Sequence, residues 1–300
     1  NYKDLSLIPK KCKEVSIIKK NNEFALLSVN FPHKVLTNID IFFPVVHGYN
    51  VEDGSIAGFL ETIGAPYAES DLYASSIGQD KVIQKMVFKE NEINIVPYTY
   101  FYENEYLANE NEIIAKINEL AYPVIVKPAR LGSSVGISIA NNETSLKEAI
   151  NDALKYDEKI IVEKVIENLK ELNCSVLGDK DLYKPSLIEE VSAKDNILSY
   201  EDKYISGGKS KGMASASRKV PADISKKLTR EIENMSIKAC KALNTSGIVR
   251  IDYLYDTKNE KIYLNEINII PGSLSFYLWK NMKYKDLLAN IIELGIKKYK

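Results

Sequence analysis

The clearest hydrophobic-polar pattern lies near the carboxyl end, where YLNEINIIPGS (263–273) alternates and then stops at Pro271-Gly272. A period of two aims Glu266 and Asn268 the same way from one strand face. GIVRIDYLYD (247–256) alternates likewise, and with KIYLNEIN it predicts an antiparallel pair around the turn-prone TKNE. Upstream, KIIVEKVI, ELNCSVLG and LYKPSLIEEV read as three successive strands. PVIVKPAR (123–130) and VGISIAN (135–141) read as short strands around the loop LGSS, and YTYFY (98–102) as another. IDIFFPVVHG (39–48) has the pattern of a buried strand that ends in GYNVEDGS.

Apolar residues at three- and four-residue spacing predict helices in SIAGFLETIGA, SSIGQDKVIQKMVFKE and NENEIIAKINELA. TSLKEAINDALKYD is predicted to open at Thr144, ISKKLTREIENMSIKACKALNT is the longest helix, and KDLLANIIELGIKKY closes the chain. Residues 194–219 are polar and rich in Ser, Gly and Lys, with no core period, which predicts a long functional loop or lid. A βαβ-like front followed by strand-rich antiparallel blocks predicts α/β and α+β modules around a cleft.

Composition narrows the partners. The apolar fraction of 45% and charged fraction of 27% are those of an ordinary globular protein. With 40 basic and 41 acidic residues the net charge is -1, so no overall basic excess favours nucleic acid. No apolar run reaches bilayer-spanning length, which predicts no membrane partner. The three widely spaced cysteines fit reduced thiols in a cytoplasm. Two histidines and no CxxC disfavour zinc, leaving a hard cation held by oxygens.

The candidate chemistry concentrates on the strand pair. Arg250 and Asp252 share a face of one strand, and Glu266 and Asn268 share a face of the next. Taken singly, each fits a solvated surface. Together they crowd like charges unless cations and anions fill the gap, and a nucleotide phosphate with Mg²⁺ resolves that conflict. In VKPARLGSSVGIS, Lys127 ends a buried strand, and Gly132, Ser133 and Ser134 let backbone N–H groups approach an anion. Glu163 and Glu171 flank a strand connection, where they suit an adenine amino group and ribose hydroxyls. His47, Glu52 and Asp53 lie in one turn, and Lys203 and Tyr204 lie in the polar 194–219 segment, where a lid over phosphates needs a lysine.

HGYNVEDGSIAGFLE, GQDK, VKPARLGSSVGIS, VRIDYLY and NEINIIPG occur in this order, and with them the whole chain resembles the D-alanine–D-alanine ligases of the ATP-grasp superfamily. The resemblance implies an ATP-grasp fold: an amino-terminal α/β substrate domain (1–79, incomplete), a central subdomain (80–165) and a carboxyl-terminal subdomain (166–300) with the lid at 194–219. It implies a cytoplasmic homodimer that joins two D-alanines for peptidoglycan, using ATP and Mg²⁺, with Mn²⁺ as an alternative metal. Lys81 and Lys127 resemble the family's phosphate binders, Glu163 and Glu171 its adenine and ribose contacts, and Lys203 its γ-phosphate contact. Asp252, Glu266 and Asn268 resemble its metal ligands, and Arg250 with the Gly272 N–H its oxyanion pair. Ser133 and Tyr204 resemble the pair that locks the lid, and His47 opens the family's HGxxGEDG loop. The nearest alternatives are a ligase using D-serine, D-lactate or another second substrate, and a nucleotide-binding protein without ligation.

Three departures from the family pattern stand out. Val51 replaces the glycine before EDG. After NEIN the chain reads IIPGSLSFYLW, which leaves Ser275, Tyr277 and Leu278 as candidates around the second substrate. The family's opening strand and GGxSxEH-type loop have no counterpart in NYKDLSLIPKKCKEV, so a segment carrying them is expected to precede Asn1.

Overall fold

A computed structural model describes residues 12–21, 23–132, 135–192 and 217–299. The strands form three sheets, each antiparallel throughout. The front sheet is a meander of β1 (Val15–Lys20), β2 (Glu23–Ser28) and β3 (Val35–Ile39). It differs from the expected βαβ start, and its strands carry few buried residues. The predicted strand at 39–48 is not formed as such. β3 ends at Ile39, Phe42 makes a single parallel bridge to Tyr67, and Val45 and Val46 are exposed.

Helices α1 (Ser55–Ile63), α2 (Leu72–Gln79) and α3 (Lys81–Glu90) follow. The apolar period runs through SSIGQDKVIQKMVFKE, but the helix breaks at Asp80. There the backbone is extended and the carboxylate accepts from the N–H groups of Val82 (2.9 Å) and Ile83 (3.1 Å). Capping of this kind pins the first residue of α3, Lys81, in place.

The four-stranded sheet has the order β4 (Tyr98–Tyr102), β7 (Lys159–Lys164), β5 (Val124–Pro128), β6 (Ser138–Ala140). It packs on α4 (Glu103–Ala108), α5 (Glu110–Asn118) and α6 (Glu143–Ala153), with Val126, Val162, Ile117 and Ile150 in the shared core. α6 begins one residue before the expected Thr144: Asn142 caps it, accepting from the Ser145 N–H at 3.0 Å.

The five-stranded sheet has the order β10 (Ser217–Lys219), β9 (Leu182–Ser192), β8 (Leu169–Asp179), β11 (Gly247–Asp256), β12 (Lys261–Asn268). The end of the expected lid, 217–219, is therefore strand. Val249, Ile251 and Tyr253 point from β11 into a core shared with α3 and with α7 (Lys226–Leu243). Ile248 points the other way, onto α8 (Tyr284–Lys298) and the 3-10 helix Gly272–Leu278. By period two, Arg250 and Asp252 share the Ile248 face, beyond the end of that second core. One sheet face thus begins as core and ends as a polar site. Gly247 is required at its start: its φ is +81°, and a Cβ there would lie 2.3 Å from the Glu69 carboxylate. No helix among the described residues is long and apolar enough to cross a membrane.

Candidate active site

Cross-strand register brings the sequence-predicted residues of β11 and β12 together. Arg250 pairs with Asn268 and Asp252 with Glu266. Arg250 donates through Nε to Asp252 Oδ1 at 2.6 Å and through Nη2 to Oδ2 at 2.8 Å, while Asn268 Nδ2 donates to the same Oδ2 at 3.2 Å. Glu266 faces Lys81, with Nζ 3.2 Å from Oε2. The order Arg250, Asp252, Glu266, Lys81 puts two facing carboxylates between two cations.

Burial acts first on both carboxylates. It pushes Asp252 upward against the pull of Arg250. In Glu266 burial also acts upward, but Lys81 and Lys127 outweigh it and hold the group below its ordinary value. Arg250 is buried, which disfavours its charge, yet Asp252 holds it above the ordinary arginine value.

β12 is an edge strand, and α3 covers that edge. Lys81, Gln84 and Lys85 lie on one helix face and grip three consecutive residues. Lys81 pairs with Glu266, Gln84 Oε1 accepts from the Ile267 N–H at 3.0 Å, and Lys85 Nζ donates to the Asn265 carbonyl at 3.3 Å. The backbone groups left open by the sheet edge are met by side chains of the helix that also carries the site lysine.

Lys85 also reaches the other sheet. Its Nζ lies 2.7 Å from Glu163 Oε1, and Lys127 binds Oε2 of the same carboxylate. Glu163 is 2% exposed; burial acts upward, but the two lysines outweigh it and push the group down to about 2. Lys85 is pushed below its ordinary value by burial, against the pull of Glu163. Lys81 further donates to the Leu131 carbonyl at 2.8 Å, at the entry to the small-residue loop.

The remaining predicted residues sit as follows. Glu171 lies near the start of β8, half-buried. His47 is exposed, with Nδ1 3.2 Å from Glu52 Oε1, and Glu52 Oε2 accepts from the Gly48 N–H at 2.5 Å. Val51 packs against the core of the five-stranded sheet, fastening the loop where the family has glycine. Glu52 joins Lys81, Glu266 and Asn268 in lining a small cavity of about 70 Å³. A larger groove, about 480 Å³, lies between the front sheet and Tyr299; it is lined by Lys19, Glu23 and Asp40 and by none of the predicted site residues. Gly272 begins the segment Gly272–Leu278, whose next three residues, Ser273, Leu274 and Ser275, have left-handed φ values of 52°, 50° and 47°. Ser275 and Leu278 are fully buried and Tyr277 is partly so, its hydroxyl 3.2 Å from Glu189 Oε2. Ser133, Lys203 and Tyr204 lie outside the described residues.

The model of the family described as D-ala D-ala ligase C-terminus matches residues 87–293. The chain belongs to the D-alanine–D-alanine ligase family. It is 36% identical to a D-alanine–D-alanine ligase of Thermosipho melanesiensis over 100% of this chain and 79% of the relative. It is 39% identical to one of Staphylococcus epidermidis over 87% of this chain and 72% of that protein. Among solved structures, the D-alanine–D-alanine ligase of Coxiella burnetii superposes with a TM-score of 0.78 at 26% identity, covering 98% of this chain and 77% of that one. The VanG D-Ala:D-Ser ligase of Enterococcus faecalis superposes with a TM-score of 0.77 at 27% identity, covering 94% and 79%. The fold is thereby that of the ATP-grasp ligases.

Sequence reasoning missed Lys85, Gln84 and Glu189. The first two had a signal, since Lys81, Gln84 and Lys85 fall at helical spacing after the motif GQDK. Glu189 had none beyond its place in the strand pattern LIEEV.

Proposed function

We propose that this chain joins two D-alanine molecules into D-alanyl-D-alanine while cleaving ATP to ADP and phosphate. The array of Lys81, Glu266, Asp252 and Arg250 at the β11–β12 edge carries this reading. A carboxylate oxygen of the first D-alanine attacks the γ-phosphorus, and ADP leaves. The amine of the second then attacks the acyl carbon, loses a proton, and phosphate departs.

Lys81 and Lys127 suit the phosphates, Glu163 and Glu171 the base and ribose, and His47 with its loop the first amino acid. Lys203 would serve the γ-phosphate, with Ser133 and Tyr204 closing the site. Arg250 and the Gly272 N–H suit the oxyanion of the tetrahedral adduct, where fixed positive charge lowers a barrier most. Ser275, Tyr277 and Leu278 are the candidates beside the second D-alanine.

The donor set fits a hard divalent cation. Among the described residues no group of three or more His, Cys, Asp and Glu is arranged for a metal, but register brings two carboxylates beside the Asn268 amide, whose oxygen is a further hard donor. Asp252, Glu266 and Asn268 would hold Mg²⁺ or Mn²⁺, which neutralises phosphate charge when bound. Assembly as a homodimer and a cytoplasmic location belong to the same proposal; sedimentation tests the first. The activity is tested by ADP release with and without D-alanine. We expect strong stimulation by D-alanine and near-complete loss in Glu266→Gln, whereas D-alanine-independent turnover, or a fully active Glu266→Gln, would defeat the reading.

A further inference from the structure

A row of polar side chains crosses the sheet beyond the residues already assigned. Register pairs Glu266 with Asp252, Asp252 with Asn173, and Asn173 with Glu189. Glu189 is 0% exposed, so its carboxylate must be met by the protein. Oε2 accepts from Asn173 Nδ2 at 3.1 Å and from the Tyr277 hydroxyl at 3.2 Å. Oε1 has no hydrogen-bond partner among the described residues; its counter-charge is Arg218 Nε at 3.4 Å. The Arg218 guanidinium lies over the Tyr277 ring, 4.7 Å from its centre, and that side chain is 27% exposed. Arg250 and Arg218 both act electrostatically on the Tyr277 hydroxyl.

Glu189 and the Tyr277 ring fix the Nε edge and one face of Arg218. Its two terminal nitrogens make no hydrogen bond among the described residues, and a guanidinium edge of that kind matches a carboxylate. The geometry points to Arg218 as the specificity-determining residue that receives the carboxylate of the second amino acid, with Glu189 and Tyr277 as its positioning residues. This rests on the ligation proposed above. It assigns the second carboxylate to a strand-borne cation, with the Tyr277 hydroxyl committed to Glu189 instead.

D-Alaninamide tests this without disturbing the first step. It has an amine but no carboxylate to be phosphorylated, so it reports on the second position alone. The full-length protein is given D-alanine and D-alaninamide together with ATP, and the ratio of dipeptide to dipeptide amide is read by mass spectrometry. Replacing Arg218 alone would leave Glu189 buried and unpaired, so Arg218→Leu is made together with Glu189→Gln and compared with Glu189→Gln alone. The double variant is expected to lower the ratio on the order of 10- to 100-fold, the size of a lost charged hydrogen bond. Glu189→Gln alone, which retains the guanidinium, is expected to keep most of the preference, and ATP affinity should be unchanged in both. Equal loss of both products, or an unchanged ratio, overturns the assignment and leaves Arg218 as counter-charge only. If the double variant does not fold, Arg218→Lys, which keeps the charge and loses the fork, must still lower the ratio several-fold; an unchanged ratio there also overturns it. A wild-type protein that forms neither product refutes the proposed ligation itself.

Discussion

Glu163→Gln is the substitution whose cost follows most directly from the structure. The carboxylate is 2% exposed, and its two oxygens are held by Lys85, at 2.7 Å, and by Lys127. Its fall from 4.5 to about 2 corresponds to about 3 kcal/mol of stability. Because the folded value is depressed, that stability is fully present above 4.5 and is lost as pH falls toward about 2. Glutamine removes the buried negative charge that Lys85 and Lys127 share, a change that costs about 3–5 kcal/mol. Hydrogen exchange over 124–128 and 159–164 should therefore quicken sharply in Glu163→Gln at neutral pH. The gap from wild type should close as pH falls through the same window. Adding Lys85→Met, which removes one stranded ammonium, should recover part of the loss. A neutral-pH cost below about 1 kcal/mol, or no recovery in the double variant, would refute the claim that this triad joins α3 to the four-stranded sheet.

Two further outcomes follow from other buried groups. Burial pushes Glu69 up to about 8, against the Ile248 N–H that holds one oxygen. Its stabilising effect is complete below the unfolded value of 4.5 and declines as pH rises through about 8. Glu69→Gln should thus flatten the loss of stability over that range in urea unfolding; identical profiles would show that Glu69 does not titrate there. Gln84→Ala removes the acceptor of the buried Ile267 N–H and should cost about 1–3 kcal/mol. Because Ile267 adjoins Glu266, it should also raise the KM for ATP, and an unchanged KM would separate the edge clasp from the site.

The parts of the fold readable from sequence are those with one buried face. β11 and β12 carry strict alternation bounded by turn residues, and the observed strands end where the pattern does. The front meander was not legible, because β1 and β3 bury almost nothing and so lack an apolar period. The break at Asp80 was hidden because apolar spacing continues across it, and only the cap marks it. The same division holds in the site. Arg250, Asp252, Glu266 and Asn268 were visible because period two places them on shared faces. Glu189 and Arg218 meet through the pairing of β9 with β10, Arg218 lying opposite Val191, and no local pattern in LIEEV or SASRKV announces it. Lys85 falls between these cases: its helical spacing from Lys81 was visible, but its contacts on two sheets depend on how those sheets pack.

Joining of two amino acids through a phosphorylated carboxylate is tested by oxygen transfer. D-Alanine labelled with ¹⁸O in its carboxylate is supplied with unlabelled ATP, and the phosphate released with the dipeptide is analysed by mass spectrometry. A single labelled oxygen is expected in each phosphate formed. Dipeptide accompanied by unlabelled phosphate would contradict it.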